Sequence, residues 1–327
     1  MTRTELEDAL AGRRLVVSVS GGKDSTACCL HLMEMGFGPD DYDRIFFDTG
    51  WEHDLLYEYI ENDLPKVVGP ITRLSAKVDI PEELVPIAEH FEEMLGVDYS
   101  AMVRLCLKKG MFPSRVRRWC TQGLKVYPAR DYLLAREDEV VNVVGIRAQE
   151  SAARALMLEW EYSGAFECDV WRPLIDWSEE EVIAIHQRNG VRPCRLYLEH
   201  GATRVGCYPC VFARKSELRM MADYSAPRLE VLADLEKEVT RLAVARLAAD
   251  GTTLAEKGWS EPAWFVAPKP TRQDDGTRSG ECWPIDKVIK WARTTRGGSM
   301  DQIELFTDPT GHQGCVRWGM CDTGSDK

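Results

Sequence analysis

The sequence predicts an α/β protein built on a doubly wound, mostly parallel sheet, with a helical and irregular, cysteine-containing C-terminal extension. Three observations lead there. Short β-branched runs alternate with helix-period segments, a pattern that needs crossover connections covering both faces of a sheet. The first run ends in a glycine-rich turn that opens a helix, Ser20-Gly21-Gly22-Lys23-Asp24-Ser25. Beyond residue 250 the periodicity gives out and Gly, Pro and Trp accumulate.

The elements follow in order. Leu15-Val16-Val17-Ser18-Val19 reads as a buried strand, and the segment after the turn carries Cys28, Leu32 and Met35 at helical spacing. Arg44-Ile45-Phe46-Phe47 is a second strand running into Asp48-Thr49-Gly50, and Tyr57 to Leu64 reads as a helix. Val140 to Val144 is the next strand, stopping at Gly145. After Pro173-Leu174, Ser178 and Glu181 form a capping box that opens a helix through His186. Arg228 to Ala249 is a long amphipathic helix with Leu229, Leu232, Leu235, Val239 and Leu242 on one stripe, suited to packing or to an oligomer contact. Gln273 to Gly280 is expected to be an exposed loop. The shift near residue 225 divides the chain into a domain over 1–225 and an extension over 226–327.

Composition bounds the function. With 327 residues, 44% hydrophobic and 29% charged, the chain suits a globular protein, and no apolar run approaches the roughly 20 residues of a membrane span. Met1 to Arg14 is polar and lacks the apolar core of a signal peptide, so a cytoplasmic protein without membrane partner is expected. The balance of 41 basic against 53 acidic residues, a net −12, excludes a generally basic nucleic-acid coat but not a local basic site. Lys108, Lys109, Arg115, Arg117 and Arg118 are such a segment, free of acids and just before Cys120. It fits either a phosphate-rich partner or a solvated face. Trp119 fits either base stacking or the core. Eleven cysteines without an export signal argue for buried thiols, a metal centre or redox chemistry rather than a disulfide framework.

The loop at 20–25 has the means to hold phosphate. Two glycines let a ligand approach the backbone, a helix N-terminus presents unpaired N–H groups, and Ser20, Ser25 and Lys23 add donors and charge. It is not a Walker A loop: Val17 stands where the first glycine would be, and Asp24 follows the lysine. Cys207-x-x-Cys210 has chelating spacing.

Ser-Gly-Gly-x-Asp-Ser directly after a first strand resembles the signature of the PP-loop ATP pyrophosphatases. The other motifs resemble one branch of them, the phosphoadenosine phosphosulfate (PAPS) reductase family. They are Asp48-Thr49-Gly50, Trp119-Cys120 with Lys125 and Pro128, Gly145-Ile146-Arg147 with Glu150-Ser151 and Arg154, Trp171-Arg172-Pro173-Leu174 with Trp177-Ser178, and Leu196-Tyr197 leading to Gly206-Cys207-Tyr208-Pro209-Cys210. They occur in family order over roughly residues 13 to 215.

The resemblance implies an adenine nucleotide α-hydrolase-like fold with the nucleotide over the carboxyl ends of the strands. It implies a nucleotide site of Ser18, Ser20, Gly21, Gly22, Lys23, Asp24, Ser25, Asp48, Thr49, Gly50, Gly145, Arg147 and Arg154. Lys23, Asp24 and Arg147 would carry the chemistry. ATP with magnesium is the implied ligand. A four-iron cluster, zinc or free thiols remain open for Cys120, Cys194, Cys207 and Cys210, with Cys315 or Cys321 as other fourth ligands. Thiol-dependent reductases of this family end in Glu-Cys-Gly-(Leu/Ile)-His; here Glu281-Cys282 is followed by Trp283-Pro284.

The leading expectation is therefore an enzyme that cleaves ATP to AMP and pyrophosphate and adenylylates an acceptor, in sulfur transfer or nucleic-acid modification, with a nucleic acid or a sulfur-donor protein as partner. The alternatives are a sulfonucleotide reductase releasing sulfite, and a non-catalytic nucleotide-binding subunit of a defence or mobile-element complex.

Overall fold

The computed structural model describes residues 2–266, 271–272, 278–279, 281–294, 317–318 and 320. Six strands form one sheet: β1 (Arg14–Ser18), β2 (Tyr42–Asp48), β3 (Thr72–Ser75), β4 (Val140–Val144), β5 (Trp160–Ser163) and β6 (Cys168–Trp171), in the order β3-β2-β1-β4-β6-β5. Every pairing is parallel except β5 against β6 at the edge. Strands β1 and β4 lie at the centre, covered on both faces, which is why they read as unbroken apolar runs. The edge strands β3 and β5 are half exposed and carried no such run.

The helix after the phosphate-type loop spans Lys23–Glu34 and buries Ala27, Cys28, Cys29, Leu30 and Leu32. Ser178 caps the helix Glu179–Arg188 through the reciprocal box expected with Glu181. The expected single helix from Tyr57 to Leu64 is three pieces instead: Asp54–Glu58, a wide π turn Tyr59–Asp63 and Pro65–Val68. Pro65 supplies no N–H, so the regular ladder cannot run through it.

Two cores result. The first holds the sheet and the helices Lys23–Glu34 and Glu179–Arg188. The second gathers residues between Trp51 and Leu124 with others between Tyr208 and Ala292. Helix Ala226–Ala249 packs there on Val85–Leu95 and Ala101–Lys109, and Trp51 stacks on Trp264 at 4.8 Å between ring centroids. Leu232, Leu235, Val239 and Leu242 are buried in that core, with Leu229 against it. The stripe is therefore occupied by this chain's own residues, the packing alternative of the two expected for it. Of the expected loop Gln273–Gly280, Arg278–Ser279 form a strand pairing with Thr271–Arg272, and the remainder lies outside the described residues, as do Cys315 and Cys321. No described helix is long and apolar enough to cross a membrane.

Candidate nucleotide site

The carboxyl ends of β1 and β4 converge on the loop. Gly21 turns it with φ +68°, a conformation that costs a side chain dearly. The Ser20 N–H donates to Ser25 Oγ at 3.0 Å, and Ser25 Oγ donates to the Gly22 carbonyl at 3.0 Å, closing the loop on itself. The Lys23 N–H donates to the Tyr197 hydroxyl at 3.1 Å. His186 Nε2 lies 3.0 Å from the Lys23 carbonyl and donates to it; burial pushes this imidazole's pKa down, so it stays neutral. Gly145 comes so close that a Cβ there would sit 2.7 Å from the Asp24 carbonyl carbon and oxygen.

Charge is concentrated at Asp24. Its carboxylate takes Lys23 Nζ at 2.9 Å and Arg147 Nε at 2.5 Å, both from buried side chains. Lys23 also reaches Glu179 at 3.4 Å, and Glu179 pairs with Arg317. Burial pushes the Glu179 carboxyl up, but Arg317 and Lys23 outweigh it and hold it below its usual value. The Arg147 N–H donates to Glu150 at 2.9 Å, and Glu150 pairs with Arg154.

A cavity of about 330 Å³ opens over this loop. Ser20, Gly22, Asp24, Ser25, Gly145 and Arg154 form part of its wall; Lys125, Tyr197, Cys207 and Cys210 face them. Gly21, Lys23 and Arg147 stand behind the wall. Ser18 turns away, donating to Asn142 Oδ1 at 3.2 Å. Asp48, Thr49 and Gly50 are also outside the wall. Asp48 accepts from the Gly50 N–H (2.9 Å), the Tyr57 hydroxyl (2.8 Å) and Arg73 (2.8 Å), a set that fixes the turn after β2.

That turn positions the opposite wall. Glu52 is buried and accepts from the Thr49 hydroxyl at 2.8 Å, the Trp51 N–H at 3.1 Å and the Cys207 thiol at 3.6 Å. Glu52 and Cys207 form an antiparallel bridge, and Trp51 Nε1 donates to the Pro209 carbonyl at 3.1 Å. Burial, Glu52 and the neighbouring Cys210 and Cys120 push the Cys207 thiol up to about 12, against the opposing pull of Lys125. Cys207 is thus a protonated thiol at neutral pH. Lys125 lies beside Cys207 and Glu52, which push its pKa up against the opposing effect of burial, so it is a cation. It projects from a second π turn, Gln122–Val126, set by Pro128.

Cys120, Cys207 and Cys210 are brought together against the second core, and burial raises the Cys120 thiol as well. Cys194 is not with them. It is fully buried in the first core, donates to the Leu55 carbonyl at 3.5 Å, and is pushed up to about 12 by burial. Among the described residues no group of three or more His, Cys, Asp or Glu side chains is arranged to hold a metal ion. Cys194 is thus not grouped with Cys120, Cys207 and Cys210, and Cys315 and Cys321, the other fourth ligands considered, lie outside the described residues.

The site also uses residues the sequence reading passed over. Lys125 and Tyr197 were visible as motif positions without a role. Glu150 was likewise a motif position without a role, and Glu52 had no signal, since lone acids in turns are common.

A loop of helix-terminal amides at the carboxyl edge of a doubly wound sheet, backed by buried cations, defines the class: a nucleotide-binding α/β protein of the adenine nucleotide α-hydrolase-like kind. More narrowly, the chain belongs to the phosphoadenosine phosphosulfate reductase domain family, whose family model matches residues 14–213. It is similar to a 37.8 kDa uncharacterized protein of Escherichia phage 186, 32% identical over 343 aligned positions that cover 94% of this chain and 96% of the relative. It is also similar to an adenosine 5′-phosphosulfate reductase of Allochromatium vinosum, 32% identical over 97 residues, 30% of this chain and 36% of that one. Among solved structures it is similar to the PAPS reductase of Candida auris in a phosphate complex, at 18% identity and a TM-score of 0.45, covering 64% of this chain and 90% of that chain.

Proposed function

We propose that this protein binds magnesium ATP over the Ser20–Ser25 loop and adenylylates an acceptor oxygen, releasing pyrophosphate, in a sulfur-transfer or nucleic-acid-modification reaction. The observation that carries the reading is a helix N-terminus at Lys23 in the wall of a nucleotide-sized cavity, with Arg154 in that wall and the buried cations Lys23 and Arg147 behind it. The acceptor oxygen attacks the α-phosphorus, the bond to the bridging oxygen breaks, and pyrophosphate carries away the electron pair. The protein's part is to hold the phosphates in line and to stabilise charge growing on the leaving group. Fixed amides and buried cations do this without reorganising. Arg147, a planar fork already directed at Asp24, suits two phosphate oxygens at once. The adenylylated position is then displaced by the incoming nucleophile, which releases AMP.

Release of labelled pyrophosphate from ATP is the test. Turnover that appears with an acceptor and is lost in Lys23→Ala supports the reading. Nucleotide binding without pyrophosphate release under any acceptor would replace it with the non-catalytic reading.

A second reading, sulfonucleotide reduction, is favoured by the similarity to an adenosine 5′-phosphosulfate reductase and by thiols in the cavity wall. Of the cysteines this reading could use, Cys282 lines a different recess, beside Trp259 and Pro262, and Cys315 and Cys321 lie outside the described residues. Thiol-dependent sulfite release would mark that reaction.

A further inference from the structure

We propose that the ridge formed by residues 108–118 is a docking track for a single-stranded polynucleotide, running between a groove around Trp259 and the mouth of the cavity. The proposal deepens the functional reading by naming the class of acceptor, and it rests on that reading only for what happens after docking.

The ridge is anomalous in charge. The chain carries −12, yet Lys108, Lys109, Arg115, Arg117 and Arg118 occur in eleven residues without an acid, and all five are exposed. None of them makes an ion pair among the described residues, whereas most other exposed arginines do. Unpaired cations on an acidic protein form a local positive field that draws polyanions.

Its placement ties that field to the site. The Arg118 guanidinium lies 5.1 Å from the centre of the Phe212 ring, Arg115 lies 6.0 Å from it, and Arg115 Nε reaches the Val211 carbonyl at 3.5 Å. Val211 and Phe212 fall between Cys210 and Ala213, both in the cavity wall. On its other flank the ridge contributes Lys109, Phe112 and Arg117 to a recess of about 630 Å³. Trp259 stands in that recess 56% exposed. Glu281, its acidic lining residue among those described, is engaged by Lys287 at 3.1 Å. An aromatic face, a run of free cations and a reaction cavity thus lie side by side. Cations take the backbone phosphates, Trp259 takes an unstacked base, and an acceptor atom inside a recess must leave any base stack to be reached. A single strand meets all three conditions; a duplex meets only the first.

Fluorescence anisotropy of a labelled mixed-sequence 20-nucleotide single strand, without ATP and over a range of salt, tests this. The triple variant Arg115→Glu, Arg117→Glu, Arg118→Glu is expected to weaken binding at least tenfold and to reduce the log–log salt slope by about 2, three contacts at roughly 0.7 each. Trp259→Ala is expected to weaken the single strand roughly tenfold and leave a duplex of the same sequence unchanged. Unchanged melting curves confirm that both variants are folded. No binding, binding indifferent to both variants, or equal and Trp259-independent affinity for heparin, an acidic protein or phosphatidylserine vesicles overturns the proposal. In the parent protein, docking without pyrophosphate release would fault the ATP reading alone, and pyrophosphate release without docking would fault the track alone.

Discussion

Gly145→Ala puts the predicted dependence of nucleotide binding on loop geometry to a sharp test. The added methyl would meet the Asp24 carbonyl carbon and oxygen at 2.7 Å and the Ser25 nitrogen at 2.8 Å. All three are backbone atoms of the first helical turn, so none can swing aside. Ordinary contact needs about 3.5 Å, so the end of β4 and the loop must part by something approaching 1 Å. Positioning errors of that size cost on the order of 100-fold in a reaction that depends on alignment. We expect kcat/KM for pyrophosphate release to fall by about that factor and nucleotide affinity to fall roughly tenfold. Gly164→Ala is the control, because a methyl there meets nothing within 4 Å. Isothermal titration with a non-hydrolysable ATP analogue reads affinity, and thermal melts show whether each variant is folded. A folded Gly145→Ala protein with nucleotide affinity and turnover within twofold of the parent would refute the reasoning.

Arg147→Lys keeps the charge but loses the fork; nucleotide affinity should drop roughly tenfold by titration, and Arg147→Ala, which strands part of the Asp24 charge, should also lower the melting temperature. Alkylation of Cys207, followed by mass spectrometry, should keep accelerating up to pH 10, because burial and Glu52 hold its pKa up near 12; a plateau near pH 8.5 would contradict this. Lys125→Ala should slow that alkylation further, since the lysine is what pulls the Cys207 pKa down. Glu236 accepts from the Trp264 and Ile285 N–H groups and is pushed by burial from 4.5 up to about 7. The folded state therefore binds a proton that the unfolded state has lost, so the stability from this group is full below pH 4.5 and disappears as pH rises through 7. The span is two and a half pKa units, about 3 kcal/mol at most. Relative to Glu236→Gln, which stays neutral, the parent should lose stability by that order between pH 5 and 8 in urea melts, and parallel profiles would show that Glu236 is not the source.

Residues near the centre of the sheet could be read because one physical demand dominated each. Burial on both faces forced Leu15-Val16-Val17 and Val140-Val141 to be apolar without interruption. Phosphate-type backbone geometry forced glycine at 21 and 145, and the cap of Glu179–Arg188 forced the Ser178–Glu181 pair. Where demands overlapped, the text was ambiguous. Asp48-Thr49-Gly50 looked like ligand contacts, yet these residues brace the turn that carries Glu52. Cys194 has the composition of a ligand and the environment of a core residue; only long-range folding separates the two. Helix Tyr57–Leu64 kept its apolar period through a π turn that local pattern does not reveal.

The apparent boundary near residue 225 is the same ambiguity at the scale of domains, and its resolution bears on the site. Composition changes there because the nucleotide-binding motifs end, not because packing does. Arg228, in the first turn of the helix Ala226–Ala249, donates to the Glu52 carbonyl at 2.8 Å and lies 5.1 Å from the Trp51 ring centre. Trp51 in turn stacks on Trp264, and Glu52 holds Cys207 through both backbone and carboxylate. A chain of direct contacts therefore runs from the C-terminal extension to the thiol wall, while the phosphate loop is fixed by the sheet and, through Tyr197 and His186, by Trp318. The two walls of the cavity belong to two cores. Removing residues 226–327 should withdraw the support for Cys207 and Cys210 and also strip Trp318 from its packing on Tyr197 and His186 behind the loop. What reads as an appendage in composition is half of the site's construction.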